Sequence, residues 1–455
     1  MTKGKRKNKG PVAKLKGETS DEDSNFDNAS IITTHSDNRS VVEEGTEELD
    51  EATKEEIFEE KLKEALDGLS EKSAHRRITC LEALATGFTK KIVPDFINDR
   101  RLTIAEAIEK CLKKGRGQEQ SSAANLAILV CFQLDDLAYD MRKNLCPILQ
   151  SLSRDQSVQL QARAKCCCAL ALINFLAGSE LNDIVEPMQS LETIFSGSYL
   201  KGIVTFSSMK HLKGALLKIT AIAGNGVVPN ITPDEAGLHA SALSSWNLLL
   251  TLLSPYDVYK LMSSNEEHCC LLPHIDKLGE LLDSNNFEVR MAAGECICLA
   301  YELGRRYDSD FGGKNFFSLC ETLKQLANDS NRYRAKKDRK TQRSSFRDIL
   351  HFIEEDITPE VHVKFGQELL LLDTWCGKKQ YDMFCSVLGS GMNYHLAENR
   401  LLREIFDLGD KVSNLCSADL KQFKHDRYLA NAAAFKARTI SRGKNRDKRT
   451  AALTC

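Results

Sequence analysis

Apolar residues recur at steps of three and four from Glu55 to about Asn331, the spacing of helices that each bury one face. One series runs Ile78, Leu81, Ala85, Phe88. Others run Ala124, Ala127, Cys131, Leu134, then Leu160, Ala164, Cys167, Ala171, and then Leu212, Leu216, Ile219, Ala223. Two more follow, through Ala242, Trp246, Leu249, Leu253 and through Val289, Ala293, Cys296, Ala300, Leu303. Second amphipathic stretches lie between them at 102–114, 140–153, 184–195 and 274–283. The pattern predicts no strand in this region, and 197–210 and 224–236 read as loops.

Leu81, Ala127, Cys167, Leu249 and Cys296 sit about 40–47 residues apart when the step from 167 to 249 counts as two units, which is the period of armadillo and HEAT repeats. The stretch from Asn286 to Glu295 is the most armadillo-like, because its small residues allow close helix packing. Spacing alone also admits an irregular all-α domain. Stacked helix pairs would bury their faces against each other and leave an extended concave surface for proteins or nucleic acid.

After Asn331 the pattern changes. Arg332, Arg334, Lys336, Lys337, Arg339, Lys340, Arg343 and Arg347 form a basic run, read either as a phosphate contact or nuclear import signal, or as a solvated linker. Val361 to Phe365 alternates and Leu369 to Trp375 is densely apolar, so strands are expected here. Helices follow at 379–388 and 394–407. This reading makes 332–425 a smaller unit packed on the end of the repeats. Residues 421–449 carry ten basic residues and two acids. The segment from Tyr428 to Arg438 favours helix but lacks a broad apolar face. A basic helix followed by a basic tail suits a narrow channel lined by RNA, or else serves as an import signal or solubilising tail.

Charge and composition add the ends of the chain. Of 455 residues, 42% are apolar and 28% charged, with a net charge of −2. Seven basic residues crowd the first sixteen, and sixteen acids follow within 18–60. Residues 1–54 are too polar to offset ordering entropy and are expected to be disordered, with helix starting near Ala52. Ser20 stands directly before Asp21-Glu22-Asp23, so phosphorylation there would deepen the negative charge. No apolar run reaches the about 20 residues of a membrane span, and no apolar segment follows the first lysines. The expected location is cytoplasmic and nuclear, with the sixteen cysteines reduced.

The candidate chemistry is thin. Cys166-Cys167-Cys168, His268-Cys269-Cys270 near His274, and Cys296 with Cys298 lack paired C-x₂-C spacing, so no metal is expected. Ser207-Ser208-Met209-Lys210 matches S-x-x-K without its partner motifs. Gly389-Ser390-Gly391 is a turn and not a phosphate loop. No enzyme, cofactor or small-molecule substrate is expected.

Longer strings are more specific. They run from Leu102-Thr103-Ile104-Ala105-Glu106-Ala107 to Lys113-Lys114-Gly115, and from Tyr333-Arg334-Ala335-Lys336-Lys337-Asp338-Arg339 to Arg343-Ser344-Ser345-Phe346-Arg347. Others are Leu388-Gly389-Ser390-Gly391-Met392, Phe406-Asp407-Leu408-Gly409 and Ala432-Ala433-Ala434-Phe435-Lys436-Ala437-Arg438-Thr439, with Arg446-Asp447-Lys448-Arg449 at the end. In this order the chain resembles the interferon-related developmental regulators over about 55–449. The resemblance implies an all-α fold: an armadillo/HEAT-like helical solenoid over 55–331, a family-specific C-terminal domain over 332–425 and a basic helix and tail over 426–455. It also implies two roles. One is binding to the ribosome, with the C-terminal helix in the messenger-RNA channel and translation repressed. The other is transcriptional co-regulation in differentiation, through histone-deacetylase co-repressor proteins. Ile440-Ser441 departs from the family pattern, where a basic and a small residue are expected, and weakens the local charge. The residues placed on ribosomal RNA are Phe435, Lys436, Arg438, Arg442, Lys444, Arg446, Lys448 and Arg449, with Arg332, Arg334, Lys336, Lys337 and Arg339 as a second contact.

Overall fold

The computed structural model describes residues 51–409 apart from 135, 179, 201–203, 213–214, 223–226, 263–271, 313–314 and 330–334. Short polar side chains start several of its helices. Ser73 accepts a hydrogen bond from the Arg76 amide, and Asn286 accepts from the Glu288 and Val289 amides. Thr232 and Glu235 bond each other's backbone amides, and Thr374 accepts from Gly377. Each satisfies amides that a helix leaves unpaired in its first turn.

The helices pair as the period predicts. Helix α1 (Glu51–Gly68) packs on α2 (Ala74–Lys90), and after the short α3 (Pro94–Asp99), α4 (Arg101–Lys114) packs on α5 (Gln118–Cys131). Helix α6 (Leu137–Arg154) packs on α7 (Leu160–Ala177), and α8 (Leu181–Phe195) on α9 (Pro233–Leu250). Helices α10 (Pro255–Met262) and α11 (Ile275–Gly279) pack on α12 (Phe287–Tyr307), and α13 (Phe316–Ala327) on α14 (Lys336–Glu355). The second helix of each pair touches the second helix of the next, so α2, α5, α7, α9, α12 and α14 form one row. The protein is an all-α helical solenoid. Helix α14 lies beyond residue 331, yet it closes the last pair of the row.

Polar bonds fix the register between neighbours. Arg77 holds Glu119 through two bonds of 2.6 and 2.9 Å, tying α2 to α5. Asn247 donates to the Ala292 carbonyl at 2.9 Å, tying α9 to α12. Arg290 donates to Gln342 at 2.7 Å, tying α12 to α14. Helix α7 is long and apolar enough to cross a membrane by composition, but it is a core helix flanked by α5, α6 and α9. Its apolar character answers burial on several sides.

One expected helix is absent. Leu212, Leu216 and Ile219 of that series fall on an antiparallel hairpin of β1 (Val204–Leu212) and β2 (Ala215–Ile222), with Leu212 opposite Ala215, and Ala223 lies outside the described residues. Val204, Thr205, Ile219, Thr220 and Ile222 are β-branched and favour extended backbone. A second hairpin pairs β3 (Val361–Phe365) with β4 (Glu368–Leu372), where the sequence predicts strands.

Helices α15 (Trp375–Leu388), α16 (Met392–Glu398) and α17 (Arg400–Ile405) follow; α15 and α16 pack across the row instead of extending it, and α17 packs on α16. Phe384 meets Phe132 and Phe175 edge-on at 5.4 and 5.7 Å. Gln380 donates to Thr251, and the Cys376 amide donates to Glu302. Asn399 donates to the Phe132 carbonyl at 2.7 Å. Residues 375–399 thus cover the C-terminal ends of α2, α5, α7 and α9 and the middle of α12. Gly391 sits against the Thr89 backbone, and a Cβ there would collide with the Thr89 carbonyl oxygen.

His395 sets a pH dependence on this docking. Its Nε2 donates to the Phe88 and Thr89 carbonyls at 3.1 and 3.2 Å, while Nδ1 accepts from Asn399. Burial holds its pKa below the ordinary imidazole value. The neutral ring therefore contributes stability above the unfolded pKa of about 6.5, and the contribution is lost as pH falls towards the lower folded value. Denaturant midpoints at pH 7.5, 6.5 and 5.5 should show a loss that His395→Gln lacks. An equal loss in both proteins would remove His395 from this account.

Candidate nucleic-acid interface

Helix α14 has two unlike faces. Gln342, Phe346, Ile349, Phe352 and Ile353 are buried, and Gln342 is held by Arg290. On the outward side Lys336, Lys340 and Arg347 are exposed and Arg343 half-buried. Steps of four, three and four place these four cations on one stripe. The stripe is about 16 Å long at 1.5 Å per residue. Among the described residues none of the four makes an ion pair, whereas Arg77, Arg142, Lys324 and Arg403 each hold a carboxylate.

The residues expected at this contact are divided. Lys336 is on the stripe. Lys337 is exposed beside it, on the side of Thr341. Arg339 turns towards the buried face and is half-buried, with its Nε shielded from solvent and unbonded among the described residues. Arg332 and Arg334 lie outside the described residues, as do Phe435, Lys436, Arg438, Arg442, Lys444, Arg446, Lys448 and Arg449. Lys340, Arg343 and Arg347 belong to the same basic run, which the sequence offers as a whole as a phosphate contact. Their helical spacing with Lys336 is what separates them from Arg339 and sets them on one face.

The inner face of the row is a second surface. Beside α15 an open cleft of about 540 Å³ is lined by Lys165, Cys168, Ser244, Met291, Glu295 and Met383, among others. Lys379 closes one side, donating to Ser244 at 2.6 Å and Glu295 at 3.1 Å. The amine that meets Ser244 is also held by the Glu295 carboxylate, so this contact is an ion-paired brace between α15, α9 and α12. The Ser-His contact that sequence reading missed is elsewhere. Ser198 Oγ lies 2.7 Å from His239 Nδ1, but Ser198 is only 2% exposed. Burial also holds the His239 pKa below its usual range, against the pull of Glu235. A buried hydroxyl bonded to a neutral ring is a structural contact.

Among the described residues nine cysteines are buried in the core and Cys168, Cys376 and Cys385 are partly buried, while His268, Cys269 and Cys270 lie outside the described residues. Cys166 and Cys167 are buried, and burial pushes the Cys166 thiol up to about 12. Among the described residues no cluster of His, Cys, Asp or Glu is placed to hold a metal ion. The S-x-x-K sequence falls on β1.

Comparison with known proteins places this architecture. Residues 28–354 match the model of the interferon-related developmental regulator family, and residues 399–450 match a second model, described as the interferon-related protein conserved region. The second match contains the whole basic run of 421–449. Among curated proteins the chain is 39% identical to interferon-related developmental regulator 1 of Homo sapiens over 435 residues, covering 94% of this chain and 89% of that one. It is also 39% identical to interferon-related developmental regulator 2 of Mus musculus over 411 residues, covering 89% of this chain and 86% of that one.

Proposed function

Because the chain belongs to the interferon-related developmental regulator family, we propose that it is a non-enzymatic regulator that binds ribosomes and represses translation by placing its basic C-terminal segment in the messenger-RNA channel. One observation carries this reading: ten basic residues against two acids in 421–449. Such a density is held on RNA by release of counterions and needs no apolar face. The family is named for developmental regulation and not for a reaction, which supports a binding role.

The nuclear co-repressor scaffold is the second reading. It leans on a row of helices left open to a protein partner, and residues 375–399 cover part of that row. This coverage favours the ribosome reading. The two also differ in salt response, because a contact through the basic segment weakens steeply as salt rises.

Sedimentation of the full chain and of a chain ending at Tyr428 through a sucrose gradient of cell lysate tests the proposal. The full chain should travel with ribosomes and the shortened chain should remain at the top. If both remain at the top, the ribosome reading fails.

A further inference from the structure

We propose that helix α14 is a second contact for the phosphate backbone of single-stranded nucleic acid, made by Lys336, Lys340, Arg343 and Arg347. This rests on the reading that the chain binds RNA, and it adds a site on the solenoid itself.

Geometry is the first argument. The four cations follow one another at about 4.5–6 Å along the helix axis, so each can meet its own phosphate on an extended strand. The helix cannot turn the stripe away, because Phe346, Ile349 and Ile353 are buried and Gln342 is bonded to Arg290. The cations are therefore presented on a fixed rod.

Charge placement is the second. Acids favour the first turns of a helix, where the dipole is positive, and cations disfavour them. Here Lys336, Lys337, Arg339 and Lys340 crowd the start of α14, against Asp338 alone. Sequences break such local rules where function requires it. Arg347 stands beside Asp348, but among the described residues none of the four is within ion-pair distance of a carboxylate, which adds to the same cost.

Composition of the face is the third. Protein interfaces have an apolar or aromatic centre. The outward side of α14 instead offers Ser344, Thr341 and His351 around the stripe. A polar face ruled by cations fits phosphates better than it fits a folded acidic protein.

The experiment uses the full chain and a 20-nucleotide oligouridine RNA, with affinity measured from 50 to 200 mM salt. Four proteins are compared. They are the wild type, a tail variant with Lys436, Arg438, Arg442, Lys444, Arg446, Lys448 and Arg449 all replaced by Gln, a stripe variant with Lys336→Gln, Lys340→Gln, Arg343→Gln and Arg347→Gln, and the combination. The tail variant should keep measurable binding. Adding the stripe substitutions should reduce the slope of log affinity against log salt by about 3, the value for four phosphate contacts on a single strand. Lys336, Lys340 and Arg347 are exposed and Arg343 is half-buried, so an unchanged unfolding midpoint serves as the folding control.

Loss of all binding in the tail variant would overturn the stripe and leave the tail reading standing. Full binding in the tail variant with loss in the stripe variant would overturn the tail reading and leave the stripe. A stripe variant with the wild-type slope in both backgrounds would overturn the inference. Equal binding of polyglutamate in place of RNA, lost on the same four substitutions, would overturn the assignment to nucleic acid.

Discussion

Replacing Phe384 by alanine should lower the free energy of unfolding by about 3–5 kcal/mol, the range for truncating a buried aromatic ring. Phe384 is fully buried, and three rings meet it edge-on: Phe132 at 5.4 Å, Phe175 at 5.7 Å and Phe406 at 5.7 Å. Such pairs add about 0.5–1.5 kcal/mol beyond area burial. Phe132 follows α5, Phe175 ends α7 and Phe406 follows α17. One side chain thus joins two solenoid units to the C-terminal helices, and its cavity would open three contacts together. Phe317 on α13 is the matched control, at 87% exposure, and Phe317→Ala should change stability by less than about 0.5 kcal/mol. Denaturant unfolding of the full chain measures both. Equal effects would mean that the C-terminal helices rest on the row without being held by it.

The second large effect belongs to Arg403. It holds Glu368 of β4 through two bonds of 3.0 and 2.7 Å. It also donates to the carbonyls of Leu396, Leu408 and Gly409. Both partners are largely buried, at 7% and 18% side-chain exposure. Removing one member leaves the other charge buried and unpaired, so Arg403→Ala should cost about 3–5 kcal/mol. Arg403→Lys should recover little, because a lysine cannot make the forked contact. Arg403→Met with Glu368→Leu should recover much of the loss, since apolar replacement of a buried pair is often neutral. The double variant failing as badly as Arg403→Ala would mean that the three carbonyls, and not the ion pair, set the cost. The clamp sits just before the basic run, so Arg403→Ala should also weaken ribosome association without removing a basic residue from 421–449.

The sequence reveals local features and conceals distant ones. Ile78 to Phe88 and Val289 to Leu303 are legible as helices because the apolar period is set within a few turns. The second helices at 102–114, 140–153 and 184–195 are legible for the same reason. Leu212, Leu216 and Ile219 satisfy the helical period by accident, and β-branched residues on both sides carry the better signal. The docking of 375–399 across the row is not legible, because its bonds join residues such as Lys379 and Ser244, 135 positions apart. Only their meeting shows that Asn399 and His395 are contact residues. The basic stripe is half legible. Its residues stand in one run, but a run read as a string counts Arg339, which the helix turns inward, equally with Arg343 and Arg347.

The longest of these bonds has a bearing on how the chain is made. His395 reaches the Phe88 carbonyl across 307 positions. At about 5–20 residues per second, synthesis takes about 15–60 s to pass from one to the other. During that interval the ends of α2, α5 and α7 have emerged while the helices that cover them do not yet exist. Phe132 and Phe175 then face solvent, or a chaperone, until Phe384 arrives. Premature termination anywhere before α15 would leave this apolar seam permanently bare, so nonsense-truncated products should be cleared from the cell even when every repeat before the stop is intact.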